Sequence, residues 1–225
     1  MIEITLIGLI SGVIGTGLGG LISTVFRKNI SRYLSFFMGI SGGIMLAVVV
    51  FDLLKESMGE IGILNTIIFV FVGAIATMLM KDKLESKKGF NAGYLIFLSI
   101  VLHNLPEGLA IGSSFIATKD LGITLALVIG IHNIPEGLAM ALSLVGNKMG
   151  TVKVILLTLI AGIPMGIGSF LGAYFAGIFT SIIGVFLSIA AGTMMYVVLE
   201  EIFPTTKSMY SIIGFLIGIL IVSYV

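Results

Sequence analysis

Long apolar runs alternate with short polar joints along almost the whole chain. About 20 mostly apolar residues suffice to cross a bilayer as a helix. By that measure the pattern predicts eight spans, over 4–26, 33–54, 61–80, 91–117, 121–145, 152–178, 181–203 and 209–225. The joints are marked by Arg27-Lys28-Asn29, Lys55 to Glu60, Lys81 to Lys88, Lys119-Asp120, Asn147 to Lys153, and Thr205 to Ser208. Between spans six and seven only Thr180 and Ser181 mark a joint, so seven spans is the alternative count. No joint is long enough to divide domains, and residues 1–225 read as one transmembrane domain.

Charge changes the picture by orienting the spans. Of the 12 basic residues, the odd joints take ten: Arg27, Lys28, Arg32, Lys81, Lys83, Lys87, Lys88, Lys148, Lys153 and Lys207. The even joints take only Lys55 and Lys119. Cytoplasmic loops carry the excess of Lys and Arg. The odd joints are therefore expected inside and both termini outside. Merging spans six and seven would move Lys207 to the other side and weaken the bias, which favours eight.

A repeat runs through the same pattern. Gly42-Gly43-Ile44-Met45-Leu46-Ala47-Val48-Val49 leads to Asp52, and Ala191-Gly192-Thr193-Met194-Met195-Tyr196-Val197-Val198 leads to Glu200. Span four also echoes span five. With eight spans, matched spans run in opposite directions. The fold expected is all-α: a polytopic membrane protein with an inverted 3+2+3 repeat. Inverted repeats with a site near the midplane are a feature of transporters.

Composition agrees with a membrane protein. Apolar residues make up 58% of the chain and charged residues 10%, against about 25% charged in a soluble domain. Mean hydropathy is +1.22. A net charge of +1 gives no footprint for nucleic acid. There is no Cys, hence no disulfide frame and no thiolate metal site. The N-terminus carries Glu3 and no basic segment before its apolar run. It reads as a retained span rather than a cleaved signal.

The candidate chemistry sits in a doubled hexapeptide. His103-Asn104-Leu105-Pro106-Glu107-Gly108 in span four is followed by His132-Asn133-Ile134-Pro135-Glu136-Gly137 in span five. These hold the only two histidines. Residues four apart share a helix face, so His103 points with Glu107, and His132 with Glu136. Asn104 and Asn133 offer amide oxygens beside the same glutamates. Pro106 has no N–H for the carbonyl of Leu102, and Pro135 none for Ile131. Freed carbonyls in lipid need a polar cavity or a neighbour. Imidazole and carboxylate ligands suit zinc, and also iron, manganese, cobalt, nickel or cadmium. Two glutamates offset the charge of a dication. Buried polar groups that merely fasten helices together are the bland alternative. The pairing with Glu and Pro argues against it.

On these motifs the chain resembles the ZIP (Zrt-, Irt-like protein) divalent-metal transporters, bacterial branch. The resemblance implies eight spans, both ends outside, and no cofactor, the metal being cargo. It implies one ion position from His103, Glu107, His132 and Glu136, joined in some members by a span-two methionine, here Met45. It implies a second position from Asn104, Asn133 and the same glutamates. Many relatives add a span-six glutamate there. This chain has Ala161-Gly162-Ile163-Pro164-Met165-Gly166, with Met165 about where that acid belongs. Relatives are often dimers, so a homodimer is expected by resemblance alone.

The expected function is transport of divalent transition metal, zinc first, across the cell membrane and into the cytoplasm. The mechanism would be alternating access around the midplane. Asp52 and Glu56 end span two outside, and Glu200 and Glu201 end span seven inside. Asp52 and Glu200 are therefore expected to pass metal in and out. Protons should compete with metal at the central ligands, so acid should weaken binding. An intramembrane metal-dependent hydrolase is the rival, but its HExxH spacing is absent. No joint could hold the output domain of a sensor.

Overall fold

The computed structural model describes residues 1–26, 30–85, 92–146, 149–179 and 182–224, and the regular structure in them is entirely helical. Arg27, Lys28, Lys87, Lys88, Lys148 and the joint Thr180-Ser181 lie outside the described residues, and so does the side chain of His103.

The helices are α1 (Ile2–Phe26), α2 (Ile30–Val48), α3 (Leu54–Glu85), α4 (Ala92–Ala117), α5 (Lys119–Gly146), α6 (Thr151–Ala161), α7 (Ile163–Ile178), α8 (Ile182–Val197) and α9 (Ser208–Tyr224). Among the described residues, five helical stretches are long and apolar enough to cross a membrane: Ile2–Thr24, Ser35–Lys83, Lys119–Leu142, Thr151–Ile178 and Ile182–Thr205. The Ser208–Ser223 helix is apolar but shorter. The protein is thus an all-helical polytopic membrane protein.

Each interruption has a local cause. Ser35–Lys83 covers 49 residues, which as a straight helix would run about 70 Å. Gly62 breaks it with φ 77° and ψ 161°, a conformation costly for any residue with a Cβ. The polar stretch Lys55 to Glu60, expected as a joint, is instead helical, and the break falls just after it. Gly162 separates α6 from α7, with Pro164 in the first turn of α7, where its missing N–H costs nothing. Pro106 and Pro135 lie within α4 and α5 without ending them.

Two π-helical turns stand out. Val49–Leu53 joins α2 to α3, and Val198–Ile202 follows α8. Such bulges often accompany functional sites. In each the fourth residue is an acid, Asp52 in one and Glu201 in the other. The shared register therefore pairs Asp52 with Glu201 rather than with Glu200.

Packing follows the same duplication. α1 lies on α5 and α7 on α4; α2 lies on α9 and α8 on α3; α2 reaches α5 and α8 reaches α4. α4 packs against α5, and α1 against α7. The close contacts match residue for residue. A Cβ on Gly43 would strike the Ser211 carbonyl and the Phe215 amide; one on Gly192 would strike the Val70 carbonyl and the Ala74 amide. Likewise Gly137 meets the Thr16 backbone, and Gly108 that of Met165. Small residues at such crossings let helix backbones approach closely.

The polarity is that of a lipid-embedded body. Leu64 is 69% exposed and Phe71 63%, while Asn104, Glu107, His132 and Asn133 are 0% exposed. The main apolar core joins Met45, Val48, Leu53, Ile111, Leu125, Ile129, Leu187 and Met194. It draws on α2, α4, α5 and α8 together.

Candidate metal centre

The pairing of α4 with α5 turns two sequence motifs into one cluster. His132 Nε2 lies 3.1 Å from Glu107 Oε1, with both side chains fully buried. Glu136, 3% exposed, completes the group. One ligand atom from each of Glu107, His132 and Glu136 lies within 4.8 Å of the others. Ligands sharing one zinc at about 2.0–2.2 Å stand no more than about 4.4 Å apart. A slight contraction would therefore suffice to grip an ion. Two carboxylates this close in an apolar interior repel, and a dication between them removes the repulsion and the cost of burying charge.

The asparagines flank this trio with their orientation fixed by chemistry. Asn104 Nδ2 donates to the Ala161 carbonyl at 2.7 Å. Asn133 Nδ2 lies 3.7 Å from Met165 Sδ. A carbonyl and a thioether only accept, so the NH2 groups must face them. The Oδ1 atoms of both amides are then left buried with no hydrogen-bond partner. So is His132 Nδ1. Buried polar atoms without partners are rare and costly. Two amide oxygens and an imidazole nitrogen in that condition, on the helices that carry the two glutamates, are chemistry that suits a cation.

α2 supports the trio from one side. Ser41 Oγ donates to the His132 carbonyl at 3.2 Å and lies 4.0 Å from Met45 Sδ. Met45 is fully buried one turn beyond Ser41, on the face toward α5. Ser41 was missed from sequence. Its signal was spacing, four residues before Met45 on the same helix face. Met165 was left outside the ligand set, and its sulfur contacts Asn133 directly.

Asp52 and Glu200 are not in the central cluster. Asp52 is half-buried in the first π turn, with Oδ2 buried and without a hydrogen-bond partner. Glu200 is exposed in the second π turn, and its neighbour Glu201 pairs with Lys81. Thus the structure joins Glu107, His132 and Glu136, buries Asn104 against the Ala161 carbonyl, Asn133 against Met165 and Met45 beside Ser41, and leaves Asp52 and Glu200 in the π turns.

Comparison with known proteins agrees with this chemistry. The family model described as ZIP Zinc transporter matches residues 79–225. Zinc transporter ZIPB of Bordetella bronchiseptica is 31% identical, over 89% of this chain and 72% of that protein. Zinc transporter ZupT of Clostridium perfringens is 29% identical, over 90% of this chain and 86% of its own length. Zinc transporter ZupT of Chlorobium chlorochromatii is 27% identical, over 86% and 84%.

Proposed function

The chain belongs to the ZIP zinc transporter family, and from that premise we propose that it carries divalent transition metal, zinc first, through the cluster between α4 and α5. The observation that carries this is the buried trio Glu107, His132 and Glu136. His103, four residues before Glu107, is the fourth ligand of the first position. Met45 lies on the α2 face beside it. Asn104 and Asn133 share the same glutamates and form a second, weaker position, because amides bring no charge.

The proposed topology is eight spans in a 3+2+3 inverted arrangement, with both termini outside. Supporting it, Gly62 cuts a stretch far longer than the roughly 30 Å hydrocarbon core into two crossings. Gly162 bends but does not end the Thr151–Ile178 stretch. The matched pairings of α1 with α5 and of α7 with α4 support an in-plane pseudo-two-fold. Under the charge bias, the Asp52 turn lies at the outer mouth and the Glu201 turn at the inner mouth. The membrane is the cell membrane, the flow is inward, and the protein works as a homodimer.

Transport uses two arrangements of the helices about the central cluster, opening one mouth at a time. The hydrolase alternative has no support among the relatives, which are named as transporters. Zinc uptake into sealed proteoliposomes holding only this protein is the test. Uptake lost in Glu107→Ala and Glu136→Ala, with folding intact, is expected. Uptake that survives both would remove the cluster from the pathway.

A further inference from the structure

At the Glu201 end of the molecule a lysine already faces the carboxylate. Lys81 Nζ of α3 lies 3.6 Å from Glu201 Oε1 and 5.9 Å from the centre of the Tyr196 ring. The two side chains are 27% and 22% exposed. The gap exceeds the roughly 2.7–2.9 Å of a charge-assisted hydrogen bond. The pair is therefore Coulombic and easily exchanged. Asp82 and Glu200 stand within electrostatic reach of the same tyrosine, so several acids gather near the Lys81 ammonium.

The duplicated fold supplies an internal control. Gly73 abuts the Ile189 carbonyl and Gly214 abuts the Ile40 carbonyl, so α3 and α9 share a register. Eight residues beyond Gly73 is Lys81; eight beyond Gly214 is Val222. Four residues beyond Gly192 is Tyr196; four beyond Gly43 is Ala47. The acid is kept in both π turns, while at the matched positions Lys81 and Tyr196 of one end are replaced by Val222 and Ala47 at the other. Lys55 lies near Asp52 and contributes charge there, but no ion pair between them occurs among the described residues. One carboxylate oxygen of Asp52 stays buried with no hydrogen-bond partner.

We infer that Lys81 is a tethered cation that neutralises Glu201 and keeps metal leaving the central cluster from being retained at that mouth. The inference rests on the transport reading above. Arriving metal meets Asp52, which feels the Lys55 charge but forms no ion pair with a lysine among the described residues. Departing metal meets an acid whose charge is already answered. Net direction in a passive carrier follows the gradient, so what Lys81 changes is the affinity of one mouth relative to the other. It is a positioning residue acting through Glu201.

The test uses the full chain with Zn2+ as the only probe. Equilibrium dialysis of detergent-solubilised protein should show Lys81→Met binding one more ion per chain than wild type. Glu201→Gln added to Lys81→Met should remove the gain. In proteoliposomes with the Glu201 mouth inside, Lys81→Met should lower Vmax several-fold with KM little changed, and the double variant should recover Vmax. Val222→Lys should do the mirror thing, raising KM with Vmax little changed. Unchanged binding and Vmax in Lys81→Met would overturn the inference, and so would a loss that the double variant fails to rescue. Wild-type protein that binds Zn2+ without passing it would end the transport reading instead, leaving dialysis to judge Lys81 alone.

Discussion

Asp52 and Glu201 occupy the same place in two π-helical turns, one after α2 and one after α8. Counted from the matched glycines, Ala47 and Val222 hold the positions that Tyr196 and Lys81 hold on the other side. The two turns agree in backbone and acid and differ in these residues. The two hexapeptides show the opposite: they agree in His, Asn, Pro, Glu and Gly, and Glu107 of one meets His132 of the other.

The largest effect should come from the part that both mouths share. Glu107→Gln or Glu136→Gln should cut zinc affinity by at least about a hundredfold, beyond the 10–100-fold typical of groups supporting a ligand. Calorimetric titration reads this directly, and a change below tenfold would place the ion elsewhere. Next come the matched glycines. Gly43→Val and Gly192→Val each force a side chain into a neighbouring backbone and should each cost about 1–3 kcal/mol or more by overpacking. Thermal unfolding in one detergent should show similar losses for both. A large loss at one and none at the other would break the equivalence of the two halves.

Asp52→Asn probes the mouths themselves. It should raise KM for zinc several-fold at low salt with Vmax little changed, since a half-buried charge at a mouth steers arriving ions and salt screens it. A KM unaffected by either substitution or salt would leave Asp52 without a role in capture. The smallest effect is expected at Ser41→Ala. Loss of its hydrogen bond to the His132 carbonyl should cost about 0.5–1.5 kcal/mol of stability, measured as a shift in the unfolding midpoint, with zinc uptake retained.

Much of this was legible in the chain because lipid imposes simple rules. Apolar runs gave the helices nearly to the residue: 91–117 was expected where α4 covers Ala92–Ala117, and 121–145 where α5 covers Lys119–Gly146. The failure at Lys55 to Glu60 is instructive. Charged residues were taken to end a span, yet the helix continues through them to Gly62. Near the membrane edge charges reach water without leaving the helix, and only a backbone that leaves helical φ and ψ ends it. Asp52 stands three residues past Val49 and Glu201 three past Val198, so the repeat itself matches Asp52 with Glu201, one residue beyond Glu200.

The site divides in the same way. Two HNxPEG segments marked the buried cluster of Glu107, His132 and Glu136, because His, Asn and Glu in mid-span are too costly to be incidental. Spacing of four along each helix fixed which side chains share a face. Ser41, and the grip of Met165 and the Ala161 carbonyl on the two asparagines, were not legible, for these contacts join helices far apart in the chain.

By itself, the sequence determined a helical membrane protein and set His and Glu on one face of each motif helix, since these depend on composition and on periods within single helices. Only the tertiary structure decided that Glu107 meets His132 across two helices and that Lys81 lies 3.6 Å from Glu201. Those are relations between helices, set by how closely backbones approach at Gly43, Gly108, Gly137 and Gly192. A one-dimensional pattern carries the period of each helix but not the rotation of one about another.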